Sequence, residues 1–356
     1  AKLYESSRRD KNNMATTGVE PQVEHYMTVG RFRFRLKYVA LGVLTVQTST
    51  MVLVLRYSRT MTNGQEPYLS STAVFLSEVL KLFICFFIVL KDSRFHPSDF
   101  CGALNEYIFS KPVDTLKMCV PALLYTIQNN LLYLALTNLD AATYQVTYQL
   151  KILTTALFSV LLLRKQLSKL KWLSLVILMF GVTLVQWRSK DENMQGNVKD
   201  EHRNISKSLV GLIAVLCACF SSGFAGVYFE KVLKTSSASL WMRNVQLAIF
   251  GIIFGLSAVF IDDGSAVRAK GFFQGYNNFT WAVIFLQAFN GLVIATVVKY
   301  ADNILKGFAT SISIIVSSII SFYFLDDFEV SKQFLAGASA VLLATYLYST
   351  PDKNFR

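Results

Sequence analysis

Two lysines fall within long apolar runs of the chain, Lys151 in the middle of one and Lys306 near the start of another. A lysine at the centre of a membrane-crossing helix costs ~2.5–3.5 kcal/mol on insertion scales, so something must compensate each of them. At a spacing of four residues Lys151 meets only Thr147 and Thr155, whereas Lys306 meets Asp302 and Thr310. Asp302 is therefore a candidate partner for Lys306, and Lys151 has no acidic neighbour. An anionic ligand that supplies the missing charge fits both lysines, Lys151 above all. Snorkelling of the ammonium to the interface is the structural alternative.

Polar and aromatic side chains crowd the same stretch: Tyr125, Gln128 and Asn129, then Tyr144, Gln145, Tyr148 and Gln149. Tyr144, Tyr148 and Lys151 fall on one face of a continuous helix. A planar base can stack on such tyrosines, amides can pair its edges, and a phosphate can reach the lysine. Helix–helix adhesion explains amides and tyrosines equally simply. Glu78 and Lys81 are spaced for pairing on one helix face, as a structural ion pair or as a gate lining the substrate path. Glu230 is a further ionisable residue inside an apolar run. Ser221, Ser222, Gly223, Ala225 and Gly226 form a small-residue patch whose spacing favours close packing over room for a sugar.

The elements that must hold these residues are membrane helices. With 53% hydrophobic and 16% charged residues and a mean hydropathy of +0.40, the chain lies outside the range of soluble domains. Apolar segments are read at 37–56, 70–90, 115–137, 140–163, 170–187, 208–229, 239–261, 281–300, 303–325 and 333–349. They are too long for barrel strands, and an open strand would strand its backbone groups in lipid. The net charge of +12 marks loops facing the cytosol rather than a nucleic-acid groove. Cys85, Cys119, Cys217 and Cys219 lie in apolar runs and imply no disulfide framework, and His25, His96 and His202 lie outside the spans, which argues against a metal centre. No cofactor is implied.

The expected division is a basic, unstructured cytosolic leader at 1–36, a first five-helix repeat at 37–187, a luminal loop at 188–207, a second repeat at 208–350 and a cytosolic tail at 351–356. The repeat is legible in Leu150–Thr155 against Leu305–Thr310, with Gly181 and Gly337 following at similar distances. Five spans per half make the halves inverted, the pattern of transporters that bind substrate near mid-membrane at the repeat interface. Lysines and arginines concentrate in the leader and around Arg164, Lys165, Lys169 and Lys171, which places both termini in the cytosol. Sequons at Asn204 and Asn278 then fall on the opposite side, as candidate N-glycosylation sites.

The runs QVTYQLK (145–151), QNN (128–130), SGFAGVYFEK (222–231), RNVQ (243–246) and ADNILKGF (301–308) resemble the nucleotide-sugar transporters of the Golgi over about residues 36 to 350. The subgroup is that of CMP-sialic acid, UDP-galactose and UDP-N-acetylglucosamine carriers, and the similarity to the UDP-N-acetylglucosamine carriers is strongest. The resemblance implies an all-α membrane protein of the drug/metabolite transporter-like plan, with ten helices in two inverted five-helix repeats. It implies an antiporter in the Golgi membrane that imports UDP-N-acetylglucosamine, and UDP-galactose besides, in exchange for UMP. It assigns phosphate contacts to Lys151 and Lys306 and base or ribose contacts to Gln128, Asn129 and Tyr125. Asn244, Gly223, Gly226, Glu78 and Lys81 match further motif positions, and Tyr144 and Tyr148 complete the candidate substrate site. Ala248 stands where the CMP-sialic acid carrier has a tyrosine, which weakens the case for that substrate.

Three other functions compete with this one. A carrier selective for UDP-galactose, or one with several substrates, differs only in the sugar. A membrane enzyme using UDP-sugars needs a carboxylate pair or metal cluster, whereas Asp262–Asp263 and Asp326–Asp327 read as solvated helix ends. An amine or metabolite exporter would carry in-membrane carboxylates instead of unpaired lysines. The expected partners are UDP-sugar, UMP and membrane lipid, with no nucleic acid; a homodimer and association with Golgi glycosyltransferases are left open.

Overall fold

The computed structural model describes residues 2–6, 24–29, 32–60, 68–139, 141–186, 201–324 and 331–350. Expectations resting on Asp140, on most of the 188–207 loop, on Asp326 and Asp327 and on the tail lie outside these residues. Within the leader, where no structure is expected, three short strands pair antiparallel in sequence order: β1 (Lys2–Ser6), β2 (Glu24–Val29) and β3 (Phe32–Arg35). Their Tyr, Phe, Val and Thr content suits a pleated ribbon. β3 runs directly into α1 (Leu36–Thr60).

The apolar runs close their backbone hydrogen bonds within themselves, because an unpaired amide in hydrocarbon costs several kcal/mol. The helices are α2 (Ser70–Asp92), α3 (Pro97–Leu104), a π-helical turn (Asn105–Phe109), α4 (Pro112–Leu116), α5 (Cys119–Asn138), α6 (Ala141–Tyr148), α7 (Lys151–Leu163) and α8 (Lys169–Gln186). There follow α9 (Glu201–Thr235), α10 (Leu240–Asp262), α11 (Gly264–Lys270), α12 (Asn278–Tyr300), α13 (Asn303–Phe324) and α14 (Lys332–Ser349). Side-chain caps start several of them, among them Ser239 for α10, an Asn277–Thr280 capping box for α12 and Ser331 for α14.

Two expected segments are subdivided. The third begins with the short α4, and Pro121 sits in the first turn of α5, where its missing N–H costs nothing. The fourth breaks at Gln149–Leu150, where the bonds Gln149 N–H to Val146 O (3.2 Å) and Leu150 N–H to Thr147 O (3.1 Å) tighten the turn before α7. The sixth is longer than its apolar run, so that Asn204 belongs to the first turn of α9 rather than to a loop.

Among the described residues nine stretches are long and apolar enough to cross a membrane. The tenth expected span, α14, is a helix of 18 residues that is not one of the nine. Lys332, Gln333 and several small residues lower its apolar content. It packs along α8, with Phe334, Val341 and Ala344 against Leu175, Leu178, Val182 and Val185. The crossing is made at the two glycines of the repeat: a Cβ on Gly337 would stand 2.7 Å from Gly181 O, and one on Gly181 would stand 3.0 Å from Val341 N.

The other close helix pairs are α5 with α9, α10 with α2, α1 with α12 and α13, and α7 with α9. Polar contacts fix which ends meet. Ser71, at the start of α2, bonds Asp263, just past the end of α10, and Thr72 bonds Tyr276, just before α12. At the other end Arg243, in the first turn of α10, donates to Asp114 O, and Lys165, just past α7, pairs with Asp302, just before α13.

Candidate functional site

The break in the fourth segment puts Lys151 at the first position of α7 and Tyr148 at the last of α6. The three residues expected on one face come together even though the helix is not continuous. Tyr144 and Tyr148 stack with ring centroids 5.8 Å apart and planes 12° from parallel, and Lys151 Nζ lies 4.0 Å above the Tyr148 ring. From α5, Gln128 Nε2 donates to the Tyr148 hydroxyl at 3.3 Å. Gln128 is buried and its Oε1 has no partner among the described residues. Tyr125, one turn before it, is half-buried, whereas Asn129 is exposed on another face of α5.

Lys306 lies in the first turn of α13 and is half-buried. Its neighbours Ile304 and Phe308 share one apolar cluster with Ile152 and Leu153, the neighbours of Lys151, and the two ammonium charges act on each other across it. Among the described residues neither has a carboxylate at ion-pair distance. The expected partnership of Asp302 with Lys306 does not form. Asp302 Oδ1 accepts the Leu305 N–H at 2.7 Å, capping α13, and its Oδ2 faces Lys165 Nζ at 3.3 Å. One carboxylate oxygen is thus taken by the helix cap and the other by Lys165. Lys151, expected to lack an acidic neighbour and to share a face with Tyr148, has the Tyr148 ring beneath it. A desolvated cation–π contact is worth ~2 kcal/mol, less than the ~2.5–3.5 kcal/mol cost of a mid-membrane lysine. Lys151 is thus offset in part by the ring, and Lys306 in part by the charge of Glu230, which acts on it from beyond ion-pair distance.

Glu78 and Lys81 form the expected pair, at 2.5 Å, with the Lys81 side chain 6% exposed. Two glycines that sequence reasoning passed over make room for it. A Cβ on Gly251 of α10 would stand 2.5 Å from Glu78 Oε2, and one on Gly291 of α12 would stand 3.2 Å from Lys81 Cδ. Lone glycines inside apolar helices were the available signal, because such positions often mark a close approach. Gly223 and Gly226 likewise mark approach. A Cβ on Gly223 would stand 2.9 Å from the Thr155 backbone nitrogen, and one on Gly226 would strike the Asn303 amide. The small-residue patch therefore seats α9 against α7 and the start of α13.

Asn244 is buried; its Nδ2 bonds Leu240 O at 2.9 Å and its Oδ1 has no partner among the described residues. Its neighbour Arg243, not singled out from sequence, is also buried and bonds Ser236, Gln246 and Asp114 O. Of the sequons, Asn204 falls in α9, and Asn278 is exposed at the start of α12 while its Thr280 hydroxyl is held in the capping box. Chemically, the arrangement offers two ammonium groups without a carboxylate at ion-pair distance, a stacked tyrosine pair and, beside it, the buried Gln128 oxygen without a donor among the described residues. An anion that also carries an aromatic ring and N–H or O–H donors satisfies all three.

Known proteins resemble this chain over most of its length. A family model described as nucleotide-sugar transporter matches residues 32–349. The UDP-N-acetylglucosamine transporter of Rattus norvegicus is 57% identical over 318 residues, covering 89% of this chain and 96% of that protein. The UDP-galactose translocator of Homo sapiens is 49% identical over 317 residues, covering 89% and 78%. One solved crystal structure superposes with a TM-score of 0.61 at 12% identity, over 88% of this chain and 97% of that one, and bears on the fold alone.

Proposed function

The chain belongs to the nucleotide-sugar transporter family, and from that premise we propose that it exchanges cytosolic UDP-N-acetylglucosamine for luminal UMP across the Golgi membrane, by alternating access of two inverted halves. The carrying observation is the convergence of Lys151 and Lys306, without carboxylate partners, beside the Tyr144–Tyr148 stack. The phosphates take the two lysines, the uracil ring stacks on tyrosine, and the donors of base and sugar reach amide oxygens such as those of Gln128 and Asn244. A nucleotide sugar brings one negative charge on each of two phosphates. A nucleoside monophosphate brings about −1.5 to −2 near neutral pH. Both ligands therefore match two lysines in charge, whereas an empty site leaves two cations uncompensated in the membrane and returns slowly. Obligatory exchange follows.

The inverted ten-helix plan is supported by which helices meet. If α1 corresponds to α9, α5 to α12 and α7 to α13, the contacts of α1 with α12 and α13 mirror those of α9 with α5 and α7. The pairs α2–α10 and α8–α14 map onto themselves. The end contacts run α7 toward the place from which α13 departs, so the two lysine helices point in opposite directions. With α14 as the tenth span, and with the excess of Lys and Arg around Arg164, Lys165, Lys169 and Lys171, both termini face the cytosol.

UDP-galactose is a second substrate on this reading, in keeping with the 49% identity to a UDP-galactose translocator. The test is counterflow: proteoliposomes preloaded with UMP accelerate uptake of labelled UDP-N-acetylglucosamine several-fold over empty ones. Equal rates with and without UMP would reject exchange. Competition across a panel of nucleotide sugars ranks the substrates, and stronger competition by UDP-galactose than by UDP-N-acetylglucosamine would reassign the preferred sugar.

A further inference from the structure

At the end of the bundle where α7 and α9 finish and α13 begins, four charged side chains close on one another, apart from the lysine pair. Glu230 is 0% exposed. Its Oε1 lies 2.8 Å from Lys165 Nζ and 2.8 Å from Lys234 Nζ, and its Oε2 accepts the Asn303 N–H at 2.9 Å. Lys165 also faces Asp302 at 3.3 Å, and Lys234 donates to Ala301 O at 2.8 Å. Two ammonium groups meet two carboxylates, so this cluster is neutral without a ligand, unlike Lys151 and Lys306. A buried carboxylate whose partner is removed is left as an uncompensated charge, which strongly disfavours the closed arrangement.

The chain is bent to make this contact. Arg164 leaves α7 at φ 53°, a left-handed conformation uncommon outside glycine, and the turn delivers Lys165 toward α9. Lys165 belongs to the first half of the chain, and Glu230, Asp302 and Asn303 to the second. Through Asn303, the first residue of α13, the cluster also fixes the turn that carries Lys306. Gly226 admits the Asn303 side chain against α9.

We propose that Glu230 is a positioning residue, whose ion pairs with Lys165 and Lys234 hold this end of the bundle shut and set Lys306 toward Lys151, and that the Lys165–Glu230 link breaks when the site opens to that side. The proposal rests on the alternating-access reading above. A ligand that binds both site lysines pulls on α7 and α13, two of the three helices that the cluster joins, which is how occupancy of the site is coupled to opening.

The test uses the full chain, freed of its native cysteines, in sealed vesicles. A cysteine is placed at Gly307, where a Cβ meets nothing within 4 Å, and labelled with a membrane-impermeant maleimide added on the side where α13 begins. A cysteine at exposed Ser237, in the turn between α9 and α10, identifies that side. Glu230→Gln and Lys165→Gln are each expected to speed labelling at 307 about tenfold, within the ~5–150-fold range of coupling between sites, while labelling at 237 is unchanged. Unchanged labelling at 307, or equal acceleration at both positions, overturns the proposal. If Glu230→Gln fails to fold, Lys165→Gln, at a side chain 20% exposed, carries the comparison alone. Absence of UMP-stimulated uptake by the wild-type chain would instead sink the exchange reading, leaving the labelling result to be read for itself.

Discussion

Lys151 and Lys306 ask for the same anion but are supported differently. Among the described residues Lys151 alone of the two has an aromatic face, at 4.0 Å. Replacing either lysine with Ala is expected to abolish uptake of UDP-N-acetylglucosamine while expression and membrane targeting persist; loss of folded protein instead would make the lysines structural. Tyr148→Leu, which removes the cation–π support and half of the stack, is expected to weaken substrate binding and to lower thermal stability little. Gln128→Ala removes one hydrogen bond to the Tyr148 hydroxyl, worth ~0.5–1.5 kcal/mol net. Its KM for the nucleotide sugar is expected to rise about two- to tenfold with the maximal rate nearly kept. A fall in maximal rate at unchanged KM would move Gln128 out of the ground-state contact.

Helices in this bundle approach through glycine, so small substitutions there have large effects. Gly337→Ala would bring its Cβ to 2.7 Å from the Gly181 carbonyl oxygen, a backbone atom that cannot swing away. A loss of ~1–3 kcal/mol, the usual cost of overpacking, is expected as a fall in the thermal midpoint of the detergent-solubilised protein. Gly307→Ala is the contrasting case, since a Cβ there meets nothing within 4 Å. Removing a glycine from a helix interior gains ~0.5–1 kcal/mol, so the midpoint is expected to hold or rise. If both substitutions lower it alike, close approach at Gly337 is not what the glycine provides.

Across the whole molecule, charge is handled in two ways: neutral pairs and clusters tie elements together, and Lys151 and Lys306 stand without a carboxylate at ion-pair distance among the described residues. Burial by itself would lower the pKa of Lys165, but Asp302 and Glu230 outweigh it and the pKa is raised above its ordinary 10.5. A raised lysine contributes stability that is fully present below the unfolded value and is lost as pH rises through the folded one. The stability difference between wild type and Lys165→Gln is therefore expected to be flat from neutral pH to about pH 10 and to shrink above it. A difference that grows with alkalinity would contradict the assignment.

Composition and run length alone determined that the chain is a bundle of membrane helices, because hydrocarbon admits few other ways to pair a backbone. The same reading found the lysine pair, the aromatic and amide residues beside it and the Glu78–Lys81 pair, since intramembrane polarity is costly enough to stand out in a sequence. Tertiary structure alone decided the pairing of charges. Asp302 is one turn from Lys306 in sequence yet caps its helix and faces Lys165, and Glu230 finds partners 65 residues upstream and four downstream. Local spacing predicts contacts within a helix, whereas a buried carboxylate is claimed by whichever cations the packing brings to it. Gly251 and Gly291 were hidden for the same reason: the pair they accommodate lies on a different helix.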